Sequence, residues 1–303
     1  MSIKDMYLIR PPLTFLGLNI DRGSTKFSFV GVPLDITSTF ARGSDLTPYY
    51  IRLVSKSLET YSLRFNVDVE DVGIYDEGDV AVTPGGINAS FRAIEAVAEE
   101  LVREGRYPIF VGGEHLITYP IIRAVIRGLS SNLCVIIFDA HADLRSEYLG
   151  SRLSHACVTR RVVETVSPNN VFLIGVRALC KDEVTELRRS RIRYVTSLDI
   201  IRYGVKYVSS KLSNFITSCR YVYVSVDIDV VDPAYAPGVS TPEPEGLTPT
   251  YLIDLVTQVI PKSVGMDIVE VVPREDAGYS TVSLATKLIL ESIASKYVAS
   301  QER

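Results

Sequence analysis

The chain has 303 residues, 47% of them apolar, and a formal net charge of −4 at neutral pH. That length and apolar content suit one large α/β domain, which we expect to span residues 1–303. The slightly acidic balance and the absence of a basic stripe argue against nucleic acid as the main partner.

No stretch of the sequence approaches the roughly 20 apolar residues that a membrane span needs, and the first residues lack the apolar core of a signal peptide. We therefore expect no membrane association and a cytoplasmic location. Cysteine occurs at positions 134, 157, 180 and 219, without Cys-x-x-Cys spacing. This pattern indicates neither a zinc ribbon nor a disulfide framework, and it predicts buried or incidental thiols.

Along the chain, short runs rich in Val, Ile, Phe or Tyr alternate with longer amphipathic runs. The short runs predict strands at residues 26–34, 107–111, 133–139, 170–176, 221–227 and 264–271. The amphipathic runs predict helices at residues 87–104, 117–129, 153–166, 181–191, 205–217, 248–260 and 283–299. This alternation predicts one mostly parallel sheet with helices on both of its faces.

Polar clusters follow three of the predicted strands: Gly-Gly-Glu-His at 112–115, Asp-Ala-His-Ala-Asp at 139–143 and Asp-Ile-Asp at 227–229. A single Asp at a strand end is more often a turn former or a helix cap. In an extended chain, however, alternate side chains share a face, so the acidic residues and the histidine of 139–143 should point the same way. Carboxylates that lie so near to each other repel one another unless a cation neutralises them. The clusters together predict a pair of divalent cations held by His115, Asp139, His141, Asp143, Asp227 and Asp229.

These clusters are also expected to meet in space. In an open parallel sheet, ligands gather outside the carboxyl ends of the strands, where the strand order reverses. Each cluster lies at such an end, and Glu270 lies near the end of the strand predicted at 264–271. Four separate segments should therefore line one pocket.

In this order and at these spacings, the motifs resemble the ureohydrolase family, the arginases and agmatinases. The matching segments are residues 31–35 (Gly-Val-Pro-Leu-Asp), 112–115, 138–143 (Phe-Asp-Ala-His-Ala-Asp), 154–155 (Ser-His), 225–233 (Ser-Val-Asp-Ile-Asp-Val-Val-Asp-Pro) and 266–270 (Met-Asp-Ile-Val-Glu). The resemblance implies a three-layer α/β/α sandwich, homo-oligomers that are trimers or hexamers, and a role in polyamine biosynthesis.

The resemblance further implies two Mn²⁺ ions per chain. Asp139 and Asp227 would bridge the ions, and the other ligands would divide between the two sites, His115 with Asp143 and His141 with Asp229. Carboxylate ligands without thiolates favour manganese, while zinc, cobalt and iron(II) remain compatible with the same residues.

The implied chemistry is hydrolysis of a guanidino group. Guanidinium is resonance-stabilised and a poor electrophile, and a water that bridges two metals is a strong nucleophile because each ion lowers its pKa. By resemblance, Glu270 pairs with the guanidinium through two parallel hydrogen bonds, and His155 carries a proton to the leaving amine. The plainer interpretations are a solvated glutamate at a strand end and an exposed histidine at a helix start.

The loop at residues 144–154 bears on the substrate. It contains no asparagine to bind an α-carboxylate, and Tyr148, Gly150, Ser154 and His155 match the agmatinase pattern, whereas Ala156 and Cys157 depart from it. We therefore predict hydrolysis of agmatine to putrescine and urea, with Glu147 as a candidate for binding the cationic far end of the substrate.

Three alternatives to an agmatinase stay open. The first is a ureohydrolase acting on another small guanidino compound, such as arginine or guanidinobutyrate. The second is a metal-dependent phosphoesterase or deacetylase, and the third is a metal-binding protein with little or no turnover.

Overall fold

The computed structural model describes residues 2–302. The strands are β1 (Leu8–Ile9), β2 (Phe27–Gly31), β3 (Tyr61–Ser62), β4 (Val67–Asp68), β5 (Tyr75–Val80), β6 (Tyr107–Val111), β7 (Cys134–Phe138), β8 (Val171–Val176), β9 (Arg193–Thr196), β10 (Val222–Asp227) and β11 (Ser263–Val269). The α-helices are α1 (Thr47–Ser55), α2 (Val69–Val72), α3 (Ile87–Arg103), α4 (Thr118–Leu129), α5 (Val158–Val166), α6 (Lys181–Arg189), α7 (Ser197–Tyr203), α8 (Val205–Thr217), α9 (Pro249–Val259) and α10 (Ser280–Gln301).

Nine strands form the central sheet, in the order β1-β5-β2-β6-β11-β10-β7-β8-β9. Neighbouring strands are parallel, except that β1 runs antiparallel to β5 at the edge. A separate antiparallel pair joins β3 and β4. The prediction of a mostly parallel sheet is confirmed, and the order brings β6, β11, β10 and β7 side by side at its centre.

Two apolar cores lie on opposite faces of this sheet. Alternate strand residues divide between them, so that Ile109 and Ile136 belong to one core while Phe110 and Ile137 belong to the other. Helices α3, α4 and α5 cover the second core, and α1 with α7 to α10 covers the first. Burying one such Ile or Phe side chain contributes about 1.5–3 kcal/mol. The resulting layers confirm the α/β/α sandwich.

All the predicted strands and helices are present, and their ends shift by a few residues. The largest shift is at α5, which begins at Val158 because residues 155–157 form a 3₁₀ turn. The sequence patterns did not predict β1, β3, β4, β5 and β9, or helices α1, α2 and α7. The strand β5 was missed because its sequence, Tyr-Asp-Glu-Gly-Asp-Val, is not an apolar run. It is stabilised instead by buried Arg52 of α1, whose guanidinium pairs with Asp76 at 2.8 Å and Asp79 at 2.7 Å.

The prediction of four unpaired cysteines was wrong for two of them. Cys134 begins β7 and forms a disulfide with Cys219, which precedes β10 and lies 85 residues away in sequence. Sequence spacing hides this pair because β7 and β10 are neighbours only through the strand order of the sheet. Cys157 and Cys180 are free thiols, as predicted. No helix within residues 2–302 is long and apolar enough to cross a membrane.

Candidate active site

The predicted site residues meet at the carboxyl ends of the four central strands. His115 follows β6, Asp139 follows β7, Asp227 ends β10 and Glu270 follows β11. The chain before His115 makes a close backbone approach that requires glycine: a Cβ on Gly113, whose φ is +40°, would lie 2.2 Å from a main-chain oxygen of the loop after β2. The Gly-Gly pair therefore lets this turn pack against that loop.

The candidate metal ligands form two groups that share one carboxylate. In the first, His115 Nδ1 lies 3.1 Å from Asp139 Oδ2 and 3.4 Å from carboxylate oxygens of both Asp143 and Asp227. In the second, His141 Nδ1 lies 2.8 Å from Asp229 Oδ2 and 3.7 Å from Asp139 Oδ1. The structure thus brings together all the residues predicted as ligands: His115, Asp139, His141, Asp143, Asp227 and Asp229.

The reason for their convergence differs from the predicted one. The strands end before or at the first aspartate of each cluster, so alternation along an extended chain does not orient the side chains. Turns orient these side chains instead. Asp139 Oδ1 accepts a hydrogen bond from the backbone N–H of His141 at 2.6 Å, and Asp227 Oδ1 accepts one from the backbone N–H of Asp229 at 2.9 Å. Asp143 has a left-handed φ of 49°. The alternation argument was therefore wrong, although it selected the right residues.

The electrostatics of this cluster fit a pair of cations. Burial, and then the charges of neighbouring Asp229 and Asp139, raises the pKa of Asp227 well above its usual range. Burial and Asp139 raise the pKa of Asp143 to about 6. Buried His115 Nδ1 and Asp139 Oδ2 lie 3.1 Å apart without the geometry of a hydrogen bond, and neither atom has another hydrogen-bond partner within the described chain. Divalent cations at this position would satisfy these atoms and neutralise the carboxylates, and nitrogen and oxygen donors suit hard or borderline ions.

A buried chain of hydrogen bonds orients His115. Its Nε2 lies 3.1 Å from Ser225 Oγ, and the Ser225 hydroxyl donates to Asp267 Oδ1 at 2.6 Å. Thr118 Oγ1 donates to the other oxygen of Asp267 at 3.0 Å. Partners of this kind hold a ligating imidazole in one orientation. Asp267, in the matching segment 266–270, thus supports His115 through Ser225 and is not itself a candidate metal ligand.

Glu270 lies beside the metal-ligand cluster, on the wall of the cavity that opens above it. Its Oε1 accepts a hydrogen bond from the backbone N–H of His115 at 2.6 Å, and its Oε2 accepts one from Ser240 Oγ at 2.6 Å. Burial raises the pKa of Glu270 to about 7. The two hydrogen bonds fix the plane of the carboxylate, and the residue has the left-handed φ of 62°.

His155 lines the same cavity and is held by residues that sequence reasoning missed. Thr37 Oγ1 accepts the backbone N–H of His155 at 2.9 Å and lies 3.1 Å from its Nδ1. The loop of Thr37 is fixed in turn by Glu114, whose Oε2 accepts the backbone N–H groups of residues 36–38 at 2.5 to 3.1 Å. The Tyr148 ring meets His155 edge-on at 5.8 Å. The motif at 31–35, directly before this loop, was the available signal.

The cavity has a volume of about 520 Å³ and includes Arg145, Arg177 and Glu243 in its wall. Glu147 is not among the residues that line it. This side chain is exposed and borders an adjoining cavity of about 210 Å³, which shares Arg145, Cys180 and Glu183 with the first. The loop closes into a hairpin through paired backbone hydrogen bonds between Tyr148 and Ser151, at 2.8 and 3.0 Å. Glu147 thus lies outside the main cavity, and its role in substrate binding stays a prediction.

A paired histidine–carboxylate site at the carboxyl ends of a parallel sheet is typical of hydrolytic metalloenzymes. Residues 25–294 match the model of the arginase family, and the chain belongs to this family of binuclear metal enzymes. It is a hydrolase that acts on a guanidino compound.

Similar proteins include enzymes named for different guanidino substrates. Agmatinase of Bacillus subtilis is 35% identical over 266 residues, which cover 87% of this chain and 89% of that protein. The crystal structure of agmatine ureohydrolase of Thermoplasma volcanium superposes with a TM-score of 0.88 at 33% identity, covering 97% of both chains. Guanidinobutyrase of Pseudomonas aeruginosa is 30% identical over 272 residues, 88% of this chain and 85% of that protein.

Proposed function

We propose that this chain is an agmatinase, which hydrolyses agmatine to putrescine and urea with two Mn²⁺ ions. The ions would be held by His115, Asp139, His141, Asp143, Asp227 and Asp229. The observation that carries the proposal is the position of the Glu270 carboxylate, buried on the cavity wall and hydrogen-bonded to the backbone of the candidate ligand His115. A carboxylate there can bind a guanidinium next to the metal site.

Each step of the reaction has a candidate group on this chain. Glu270 binds the guanidinium and orients its central carbon. Divalent cations held by the candidate ligands would lower the pKa of water and so supply the nucleophile. Overall, a guanidinium and a water give urea and an ammonium: the water oxygen stays on the guanidinium carbon, the carbon–nitrogen bond to the amine breaks, and both water protons end on the amine nitrogen. His155 can deliver one of these protons from Nε2, because its Nδ1 faces Thr37.

Agmatine is favoured because the loop at 144–154 has no asparagine to bind an α-carboxylate. Guanidinobutyrate is the second candidate, since Arg145 in the cavity wall could attract its carboxylate. We further propose a cytoplasmic homo-oligomer, trimeric or hexameric, that acts in polyamine biosynthesis, with residues 1–303 as one domain.

Urea release from agmatine, guanidinobutyrate and arginine tests the proposal. The enzyme is first stripped with a chelator and then loaded with Mn²⁺, and kcat/KM is measured for each compound. We expect activity to return with the metal and agmatine to have the highest kcat/KM. A value for arginine or guanidinobutyrate equal to that for agmatine would contradict the agmatinase assignment, and it would leave guanidino hydrolysis in place.

A further inference from the structure

We infer that Glu243 binds the distal ammonium group of the substrate and thereby determines the preference for a cationic tail. This inference rests on the proposed function, because it concerns the end of agmatine that does not react. It assigns to Glu243 the role that the sequence suggested for Glu147.

Most of the charged groups in the wall of the cavity are already engaged within the protein. Glu183 accepts a hydrogen bond from the backbone N–H of Leu144 at 3.0 Å through Oε1, and one from that of Cys180 at 2.9 Å through Oε2. Arg177 donates to a set of backbone carbonyl oxygens. Both side chains hold backbone segments of the wall in place. Such contacts do not by themselves exclude a ligand, since Glu270 is engaged in the same way, but they leave Glu183 with less acceptor capacity than a carboxylate without contacts.

Glu243 differs because only its backbone is engaged. Its side chain is half-buried on the cavity wall, and among residues 2–302 its carboxylate has no direct hydrogen bond or ion pair, while its charge interacts at longer range with that of Arg177. A carboxylate that faces a cavity without a direct hydrogen-bond partner can bind a cation without first breaking an internal contact. An ammonium group is the cation that a substrate with an aminoalkyl tail would bring there.

The loop of Glu243 is tied to the metal site by Arg177. The Nη2 of this guanidinium donates to the carbonyl oxygen of Glu243 at 2.7 Å and to that of Asp229 at 2.8 Å, while Nε donates to the carbonyl oxygen of Pro244 at 2.8 Å. One rigid group therefore sets the position of Glu243 relative to the candidate ligand Asp229. Fixing the loop in advance lowers the entropy lost when the substrate binds.

Arg145 is the opposing charge on the same wall. Its guanidinium lies over the Tyr148 ring, 5.3 Å from the ring centroid, and this contact satisfies part of its charge. In the metal-loaded enzyme the cations would neutralise Asp227 and Asp229, and the guanidinium would pair with Glu270, so these groups do not decide between the tails. Glu243 has no comparable side-chain contact and is therefore better placed than Arg145 to bind the charged end of the tail.

The test compares substrates that differ only in the tail. Agmatine and butylguanidine share the guanidinium and the four-carbon chain, and butylguanidine lacks the ammonium. We expect Glu243→Gln to lower kcat/KM for agmatine about fivefold to tenfold, mainly through KM, since a hydrogen bond to a charged group is lost from a partly exposed site. The same variant should leave butylguanidine within about twofold, with its Mn²⁺ content unchanged.

Glu245→Gln is the matched control, because this exposed glutamate lies on the same loop and does not line the cavity. It removes an equal charge and should preserve the preference for agmatine. Butylguanidine can be measured as a competitive inhibitor if its turnover is too slow. An agmatine preference that persists in Glu243→Gln, or an equal loss for both compounds, would overturn the inference while leaving the proposed function standing. Failure of the unchanged, Mn²⁺-loaded enzyme to release urea from any guanidino compound would overturn both.

Discussion

Substitution of Glu270 by glutamine separates substrate binding from metal binding. Both carboxylate oxygens of Glu270 accept hydrogen bonds, one from the backbone N–H of His115 and one from Ser240 Oγ. In the variant, the amide oxygen must face His115, because a backbone N–H can only donate. The amide NH₂ then faces Ser240, whose hydroxyl can rotate to accept. Glu270→Gln should therefore keep its local structure and its metal content.

The loss of charge should still reduce turnover strongly. A hydrogen bond to a charged group contributes about 1.5–3 kcal/mol, which corresponds to a loss of about 10-fold to 150-fold in kcat/KM for agmatine. The buried position of Glu270 places the loss toward the upper part of this range. Steady-state urea release gives kcat/KM, and elemental analysis gives the metal content of the same samples.

Ser240→Ala is the matched comparison for this variant. It removes one hydrogen bond to the Glu270 carboxylate and keeps the negative charge, so its loss in kcat/KM should be much smaller than that of Glu270→Gln. Near-normal kinetics in Glu270→Gln with full metal content would refute the assignment of Glu270 as the guanidinium partner.

Further predictions concern the metal ligands, pH and the disulfide. Asp139→Ala or Asp227→Ala should release both metal ions, since the family resemblance implies that both carboxylates bridge them and Asp139 is shared by the two ligand groups; elemental analysis that finds two equivalents retained would contradict bridging. In the metal-free protein, burial raises the pKa of Asp143 to about 6, so its contribution to stability is complete below about pH 4 and is lost as the pH rises through 6. Urea unfolding of the metal-free protein should therefore show lower stability at pH 7 than at pH 5, and an opposite trend would count against this. Reduction of the Cys134–Cys219 disulfide, which spans 85 residues, should cost about 4–5 kcal/mol by loop entropy, seen as a lower thermal midpoint with reductant; an unchanged midpoint would argue against the bond.

The sequence determined much of the site because the informative motifs are local. Clusters such as Asp-Ala-His-Ala-Asp after an apolar run mark a strand end by themselves, and parallel strands bring their carboxyl ends to one edge of the sheet. The candidate ligands from His115 to Asp229 and the position of Glu270 could therefore be named without a structure. Even there, the orientation of the side chains depended on turns that the alternation argument did not include.

The tertiary structure decided which distant segments touch. Four features depend on the tertiary structure: the exposed position of Glu147, the position of Glu243 in the cavity wall, the contact of Thr37 with His155, and the disulfide between Cys134 and Cys219. The order of the strands and the path of the connections between them determine each of these contacts and loop positions. Periodicity reports only whether a local segment can bury one face, and it carries no information about the neighbour against which that face or loop will lie.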